Sequence, residues 1–345
     1  MNSAVIEPAA SVRRSWKAIA AAVAITMSLI VCACLSICYA HRPDSCAAVT
    51  VFPVWAWLVP GLLLPGIVLR WAPRRWVIGV VGCWMAYFAV FGDEPRGLIR
   101  SILPAPEVQA RSASGSSMIR VITVNCSSEA RAVEESAAMS PDILLVQESP
   151  AEPVLLAFSE RHFGRRDGGA HGGDVGVLAQ GTVQVRYASR TAFGAFLHCS
   201  VQLDAGSTVD VVCLRLSPPT VRIDLWSPEC WRAQTAHRQL QRKELAAALE
   251  RLNEIPPDRP VIVAGDFNAP AGDAIFGLLG PGLTDSFREA GRGWGNTITS
   301  EFPFHRIDQI WVSDQLTAVD CRARPMTHSD HRLVVAELRL DPQPP

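Results

Sequence analysis

The sequence predicts a layered α/β (α+β) sandwich preceded by about three transmembrane helices. Nearly every residue across 18–92 is apolar, whereas the rest has the mixed composition of a soluble domain. From residue 119 to about 340, short β-branched runs alternate with longer helical patterns. Several runs are joined by hairpin-length connections, which a purely parallel sheet does not permit. The length of 345 residues allows one or two domains, and the net charge of −1 argues against a generic nucleic-acid surface, normally basic.

Residues 1–17 read as a tail ahead of the first apolar stretch, 18–40, which carries no charge. Its length matches the roughly 20 residues that cross a bilayer core. It exceeds the apolar part of a typical signal peptide, and another apolar stretch follows at once. That second stretch, 47–69, is rich in Pro, Gly and Trp, which membrane helices tolerate. The third, 76–92, is the shortest. Arg13, Arg14 and Lys17 precede the first span, only Arg42 lies between the first two, and Arg70, Arg74 and Arg75 precede the third. Positive-inside then puts the N-terminus in the cytoplasm and, after three spans, the remaining chain in an extracytoplasmic compartment. Losing the third span would reverse that placement.

Of ten cysteines, Cys126, Cys199, Cys213, Cys230 and Cys321 fall in the soluble part. Five cannot all pair and no CxxC spacing occurs, so buried free thiols are expected. Residues 93–118 read as a linker, because 101–118 is rich in Ser, Ala and Pro and has no apolar period. The globular part is 119–340, with a tail at 341–345. Strands are expected at 118–125, 142–148, 174–180, 193–203, 207–216, 259–267, 306–312 and 332–340. Helices are expected at 129–139 and 229–253, the latter with Leu240, Leu245, Leu249 and Leu252 as an apolar stripe and Arg232, Arg238, Arg242 and Lys243 on a solvated face. The glycine-rich GRRDGGAHGGD at 164–174 lacks the strand-to-helix setting of a phosphate loop and reads as a mobile rim loop.

Apolar runs that end on polar residues carry the chemistry. The first run stops on Asn125, the second on Gln147 and Glu148, and VIVAGDFNAP stops on Asp266 with Asn268 beyond. RIDQIWV opens on Arg306 and Asp308, and HSDHR puts Asp330 and His331 before the last run. A single case would be a turn. Five such segments predict strand ends meeting in one cleft. Carboxylates with an imidazole suit a divalent cation acting on phosphate, since magnesium takes a few oxygen ligands and leaves places for substrate. Asp266 and Asn268, two apart, can leave one face of a strand end. His331 can exchange a proton near neutral pH if Asp308 fixes its tautomer.

VNC at 124–126, QE at 147–148, GDFN at 265–268, RIDQI at 306–310 and SDHR at 329–332 together resemble the endonuclease/exonuclease/phosphatase superfamily, over about 119–340. The resemblance implies a four-layer sandwich of two β-sheets flanked by helices. It implies hydrolysis of phosphoesters in nucleic acids, inositol phosphates or sphingomyelin with Mg2+ or Mn2+. It makes Glu148 the principal metal ligand, with Asn125 and Asp330 close by. Asp266 would position or activate the attacking water and Asn268 would contact phosphate. His331, paired with Asp308, would contact the scissile phosphate or act as base.

The chain departs from the family where a strand usually ends in Thr-His-Leu: VVCLRLSPP puts Arg215 at the histidine position. Arginine can clamp a phosphate oxygen but cannot shuttle a proton, and a sheet-edge salt bridge is its other reading. If Leu203 lies opposite Thr208, His198 faces the same side as Arg215 and could supply an imidazole. Arg288, Trp294 and Asn296 lie on a loop shortly before RID and are candidates for substrate recognition. The expected protein is a membrane-anchored phosphoesterase acting on nucleic acid or on a phospholipid or inositol phosphate beside a lipid bilayer. No protein partner is inferred. The competing expectation is a tethered phosphate-binding module that lost turnover with the histidine. A pure binder has no need of Glu148, Asp266, Asp308 and His331 together.

Overall fold

Two of the three apolar stretches of the N-terminal unit form unbroken helices. The structure is a computed structural model that describes residues 9–104, 117–189, 194–280 and 282–340, and it divides into two compact units between Gly92 and Asp93. Helix α1 (Ala9–His41) is uninterrupted, as expected of a run without Pro or Gly. The second stretch breaks into α2 (Ala47–Thr50), a 3-10 turn (Val54–Trp57) and α3 (Leu58–Ile67), bent by 73° at the break. Pro53 sits at that break, where its missing N–H interrupts the helical ladder. Helix α4 (Arg74–Phe91) is continuous.

Two helices, Trp16–His41 within α1 and α4, are long and apolar enough to cross a membrane, and three spans result if the bent pair counts as one. The short third stretch is therefore the sound one, and the second stretch decides the count. Within this unit Trp84, fully buried, donates from Nε1 to Ser28 Oγ at 2.9 Å, and Ser28 Oγ donates to the Gly61 carbonyl at 2.7 Å. The Trp84 N–H and the Ser28 hydroxyl thereby satisfy each other and the Gly61 carbonyl, as an apolar surrounding requires.

The second unit begins with α5 (Glu94–Ile102), which occupies part of the segment read as linker. Residues 105–116 of that segment lie outside the described residues. The strands are β1 (Ser117–Asn125), β2 (Ile143–Gln147), β3 (Gly169–His171), β4 (Val175–Ala179), β5 (Gly181–Ala188), β6 (Ala195–Leu203), β7 (Thr208–Arg215), β8 (Val261–Asp266), β9 (Leu283–Asp285), β10 (Asp308–Ser313), β11 (Leu316–Arg324) and β12 (Leu333–Leu340). The helices are α6 (Ala130–Ala137), α7 (Glu152–Phe163), α8 (Pro228–Leu249) and α9 (Ser286–Ala290). One sheet runs β11-β12-β1-β2-β4-β3 and the other β5-β6-β7-β8-β10-β9. The pairs β1/β2 and β7/β8 are parallel, and the remaining pairs are antiparallel.

The layers follow from side-chain alternation. Val121, Ile143, Leu145 and Val177 of the first sheet meet Leu197, Val211, Cys213 and Ile262 of the second in the central core. The alternate residues Val124, Leu144 and Val146 pack outward on Ala132, Val133, Leu155 and Phe158 of α6 and α7. On the other side Val212, Leu214 and Val263 pack on Leu245 and Ala248 of α8. Central strands buried on both faces read as continuous apolar runs, which is why their sequences show little alternation. The four-layer sandwich expected from the sequence is thus present.

Some expectations change. Gly169–His171, within the glycine-rich segment read as a rim loop, pairs with β4. On α8, Leu240 is 45% exposed and lies outside the apolar stripe. Arg238, read as solvated, is buried and holds Asp273 Oδ2 at 2.7 Å. The five cysteines of the second unit are buried and free.

Candidate active site

Strand register brings the polar strand ends together from both sheets. In the second sheet, Asp266 at the end of β8 pairs with Arg215 at the end of β7 and with Asp308 at the start of β10. In the first sheet Asn125 pairs with Gln147, Glu148 follows at once, and Asp174 immediately precedes β4. Gly265 (φ 148) lets β8 lie close to β7, because a Cβ there would fall 1.9 Å from the Leu214 carbonyl oxygen. Any side chain would push the two strand ends apart.

Asn125 joins the sheets. Its Nδ2 donates to Glu148 Oε1 at 3.1 Å and to Asp266 Oδ2 at 3.0 Å, while its Oδ1 accepts from the Ser127 backbone N–H at 3.0 Å. The other Asp266 oxygen accepts from the Asn268 backbone N–H at 2.9 Å. Asn268 Nδ2 donates to the Leu216 carbonyl at 2.8 Å, so this amide braces the loop after β8 against the end of β7. His331 Nδ1 lies 2.9 Å from Asp308 Oδ2, the pairing expected from the sequence. Ser329 Oγ donates to the Asn125 carbonyl at 2.6 Å, and Ser127 Oγ donates to Asp330 Oδ1 at 2.5 Å. Glu148 (φ 44) and Asn268 (φ 49) both adopt left-handed backbone, costly for residues other than glycine and characteristic of functional positions.

The electrostatics separate Asp266 from His331. Burial, with Asp308 beside it, pushes the Asp266 carboxyl up to about 7, against partial relief from His331, Asn268 and Asn125. Burial works against charge on His331, but Asp308, Asp266 and Asp330 outweigh it and push the imidazole up to about 10. Asp266 therefore exchanges a proton near neutrality while His331 stays charged. The ligand-type atoms of Asp266, Asp308 and His331 lie within 4.8 Å of one another. With His331 Nδ1 engaged by Asp308, this trio is better suited to handling protons than to holding an ion.

Two nearby carboxylates have the donor chemistry that suits a hard divalent cation. Glu148 Oε2 and Asp330 Oδ2 have no hydrogen-bond partner among the described residues, and carboxylate oxygens are what magnesium and manganese take. Arg215 complicates the site. Its guanidinium donates to Glu148 Oε1 at 2.6 Å and to Asp174 Oδ2 at 2.7 Å, so it already engages the carboxylate that the sequence suggested as a metal ligand. Of the two readings of Arg215, the salt bridge is the one observed, and its partners are carboxylates of the site itself.

Other assignments are corrected. In the β6/β7 hairpin Gln202, not Leu203, pairs with Thr208. That one-residue shift puts His198 opposite Val212 on the outer face, where Nε2 sits 3.1 Å from Asp210, away from Arg215. Arg288 pairs with Asp93 at 3.1 Å, and the buried Asn296 donates to Glu94 Oε1 at 3.2 Å. Trp294 Nε1 donates to the Pro303 carbonyl at 2.9 Å. The first two hold α5, and the third ties its own loop. Asp174 was missed, although it opens an apolar run as Asp308 does.

Comparison with known proteins follows the same line. The profile of the Endonuclease/Exonuclease/phosphatase family matches residues 122–331, more than half of the chain. Uncharacterized protein YbhP of Escherichia coli (strain K12) is 37% identical over 109 residues, 30% of this chain and 42% of that protein. The match thus spans under half of the relative's length. The crystal structure of the endonuclease/exonuclease/phosphatase from Bacteroides vulgatus aligns with a TM-score of 0.50 and 15% identity, covering 65% of this chain and all 100% of that one. D. rerio TDP2, solved in complex with a single-strand DNA product, aligns with a TM-score of 0.47 and 18% identity over 64% of this chain and 99% of that one. With its fold and family motifs in place, the chain belongs to the Endonuclease/Exonuclease/phosphatase family.

Proposed function

We propose that this domain is a divalent-metal-dependent phosphoesterase in which water attacks phosphorus. One observation carries the reading: a single amide, Asn125, bridges Glu148 and Asp266 from opposite sheets, beside the Asp308–His331 pair. Asp266, titrating near neutrality, orients the attacking water and accepts its proton. His331, held charged by Asp308, donates to a phosphoryl oxygen and stabilises charge that grows in the transition state. Arg215 exchanges its carboxylate partners for a second phosphoryl oxygen. Glu148, supported by Asn125 and Asp330, would hold Mg2+ or Mn2+, which polarises the phosphoryl group and offsets charge on the leaving oxygen.

We further place the chain as an integral membrane protein with its N-terminus in the cytoplasm and its catalytic domain outside. Its substrate is a phosphoester of nucleic acid or of a phospholipid or inositol phosphate. Turnover of a soluble aryl phosphodiester by the full chain should need Mg2+ or Mn2+ and stop in chelator. Asp266→Ala and His331→Ala should each lower kcat by about 10²–10⁴-fold. Equal turnover with chelator and in both variants rules the assignment out. The Arg215–Glu148 ion pair favours one alternative, a phosphate-binding module without turnover. Saturable binding of inorganic phosphate by a protein that hydrolyses nothing would select it.

A further inference from the structure

The loop between β7 and α8 exposes more apolar surface than a soluble surface loop needs. Val221 is 92% exposed, Ile223 70% and Trp226 86%. The loop is nevertheless built. Gln234 Nε2 of α8 donates to the carbonyls of Thr220 and Arg222 at 3.0 and 3.1 Å, and Trp231 Nε1 donates to Leu225 O at 2.9 Å. Arg222 closes on Asp224 at 2.6 Å. α8 thus supports the backbone while three large apolar side chains remain in solvent. That costs free energy unless something covers them.

Its root is the active site. The loop departs one residue after Arg215, where Leu216 O accepts from Asn268 and Ser217 O accepts from Gln241. A second exposed apolar residue, Phe302 (77%), rides on the segment that enters the site from the His331 side. There Ile298 bridges His331, and the Ser300 backbone N–H donates to Asp330 O. Apolar groups therefore emerge on both flanking segments, one next to Arg215 and one next to Asp330 and His331.

We propose that these loops dock the catalytic cleft onto a lipid bilayer and present it to phospholipid headgroups. The substrate class rests on the phosphoesterase reading above; the docking does not. Single-stranded nucleic acid is the other surface that could cover an exposed Trp and Phe, by base stacking. It would need cations along its backbone, and the loop offers Arg222 already paired with Asp224, with Glu301 beside Phe302. Val221 and Ile223 cannot stack on bases. They can enter the interfacial layer, where Trp also settles. The absence of a free cation on the loop among the described residues points to a surface of zero net charge, such as zwitterionic phosphatidylcholine. Two helices long and apolar enough to cross a membrane would, once inserted, tether the chain to such a surface.

The test uses the full chain in phosphatidylcholine vesicles, with p-benzoylphenylalanine replacing Ile223 in one sample and the exposed Val185 of β5 in another. Irradiation should attach lipid to the peptide carrying position 223 and leave position 185 unmodified. No excess of lipid at 223 over 185 overturns the docking. Crosslinking to an added oligodeoxythymidine in place of lipid overturns it in favour of nucleic acid. In the second arm, the triple variant Val221→Ser, Ile223→Ser, Trp226→Ser should lose about tenfold in kcat/KM on vesicle phospholipid. Its turnover of a soluble phosphodiester should stay within about twofold of wild type. Phe302→Ser should show a smaller loss of the same selective kind. Equal loss on both substrates overturns the proposal. Lipid attached at 223 in a protein that turns over neither substrate supports docking and removes the phosphoesterase reading instead.

Discussion

Arg215 lies between two carboxylates, one of them the Glu148 proposed to hold the metal. Its two short contacts, to Glu148 and Asp174, make a charge-assisted fork that must open before the guanidinium can reach a phosphoryl oxygen. Removing it should therefore act in opposite directions. Arg215→Ala is expected to tighten Mn2+ binding several-fold, because Glu148 loses its competitor, while lowering kcat by about 10–100-fold through the lost clamp. Calorimetric Mn2+ titration without substrate, beside steady-state rates, separates the two; unchanged affinity and rate would reduce Arg215 to a structural ion pair. The buried titrating pair gives a second expectation. His331 is held near 10 against an ordinary 6.5, so its contribution is complete below pH 6.5 and is lost as pH rises through about 10. Asp266, raised from 3.8 to about 7, loses its contribution between those values, in the same direction. The metal-free protein should then melt lower at pH 10 than at pH 7, by roughly 5 °C, and His331→Asn should flatten that slope. Glu148, Asp266, Asp308 and His331 were legible in the sequence because each is a polar residue interrupting an apolar run. The pairing of Arg215 with Glu148 and Asp174 was not, because the other sheet supplies both partners. His198 was misplaced by one residue of register, to which a local pattern is blind.

Helix α5 shows what a sequence pattern conceals at the scale of an element. Its buried positions are Glu94 and Gly97, while Leu98, Ile99 and Ile102 are exposed, so the face toward the domain has no apolar signal. With Pro95 and Gly97 as punctuation, it reads as linker. What holds it is charge. Arg306, 3% exposed at the side chain, forms ion pairs with Asp93 at 2.6 Å and Asp285 at 2.7 Å; Arg288 adds a second ion pair to Asp93. Arg100 and Arg292 exchange hydrogen bonds with backbone carbonyls across the same contact. Arg306 stands two residues before Asp308, so this cluster supports the entry to β10 and the His331 partner. Truncating the domain at Ile119 leaves a buried guanidinium with one carboxylate fewer, and such losses cost about 3–5 kcal/mol. A 93–345 fragment should therefore unfold in urea at a clearly higher midpoint than a 119–345 fragment, and Asp93→Asn should lower the midpoint of the longer one by most of that difference. Coincident midpoints would show that α5 merely rests on the domain. The unread strands have a related cause. β5 carries exposed polar positions and β11 mixes Asp and Arg into its run, as strands at sheet edges do, whereas the central strands, buried on both faces, were read with little error.

At the scale of the whole molecule, one broken segment would decide on which side of a membrane the second unit lies. The helices within Trp16–His41 and Arg74–Phe91 each suffice to cross, so the count turns on the 73° bend between Asp44–Thr50 and Val54–Ile67. If that pair crosses, the chain crosses three times; if it is re-entrant, it crosses twice and the catalytic unit stays with the N-terminus. The cations favour the first. Arg70, Arg74 and Arg75 cluster after the bent pair, whereas only Arg42 precedes it, so the two ends of the pair differ in charge as the ends of a true crossing do. Thiol chemistry permits the same answer. Cys126, Cys199, Cys213 and Cys321 are buried and unpaired, and burial raises each thiol pKa, so an oxidising compartment finds little thiolate to attack. Alkaline phosphatase fused after Pro345 should therefore be active in intact cells, and a fluorescent protein that folds only in the cytoplasm should stay dark at the same position. Neutralising Arg70, Arg74 and Arg75 together should erode that difference, because it removes the charge that fixes the second loop inside. A bright cytoplasmic reporter with inactive phosphatase would mean that the bent pair turns back within the bilayer and that the lipid facing the cleft is the cytoplasmic leaflet.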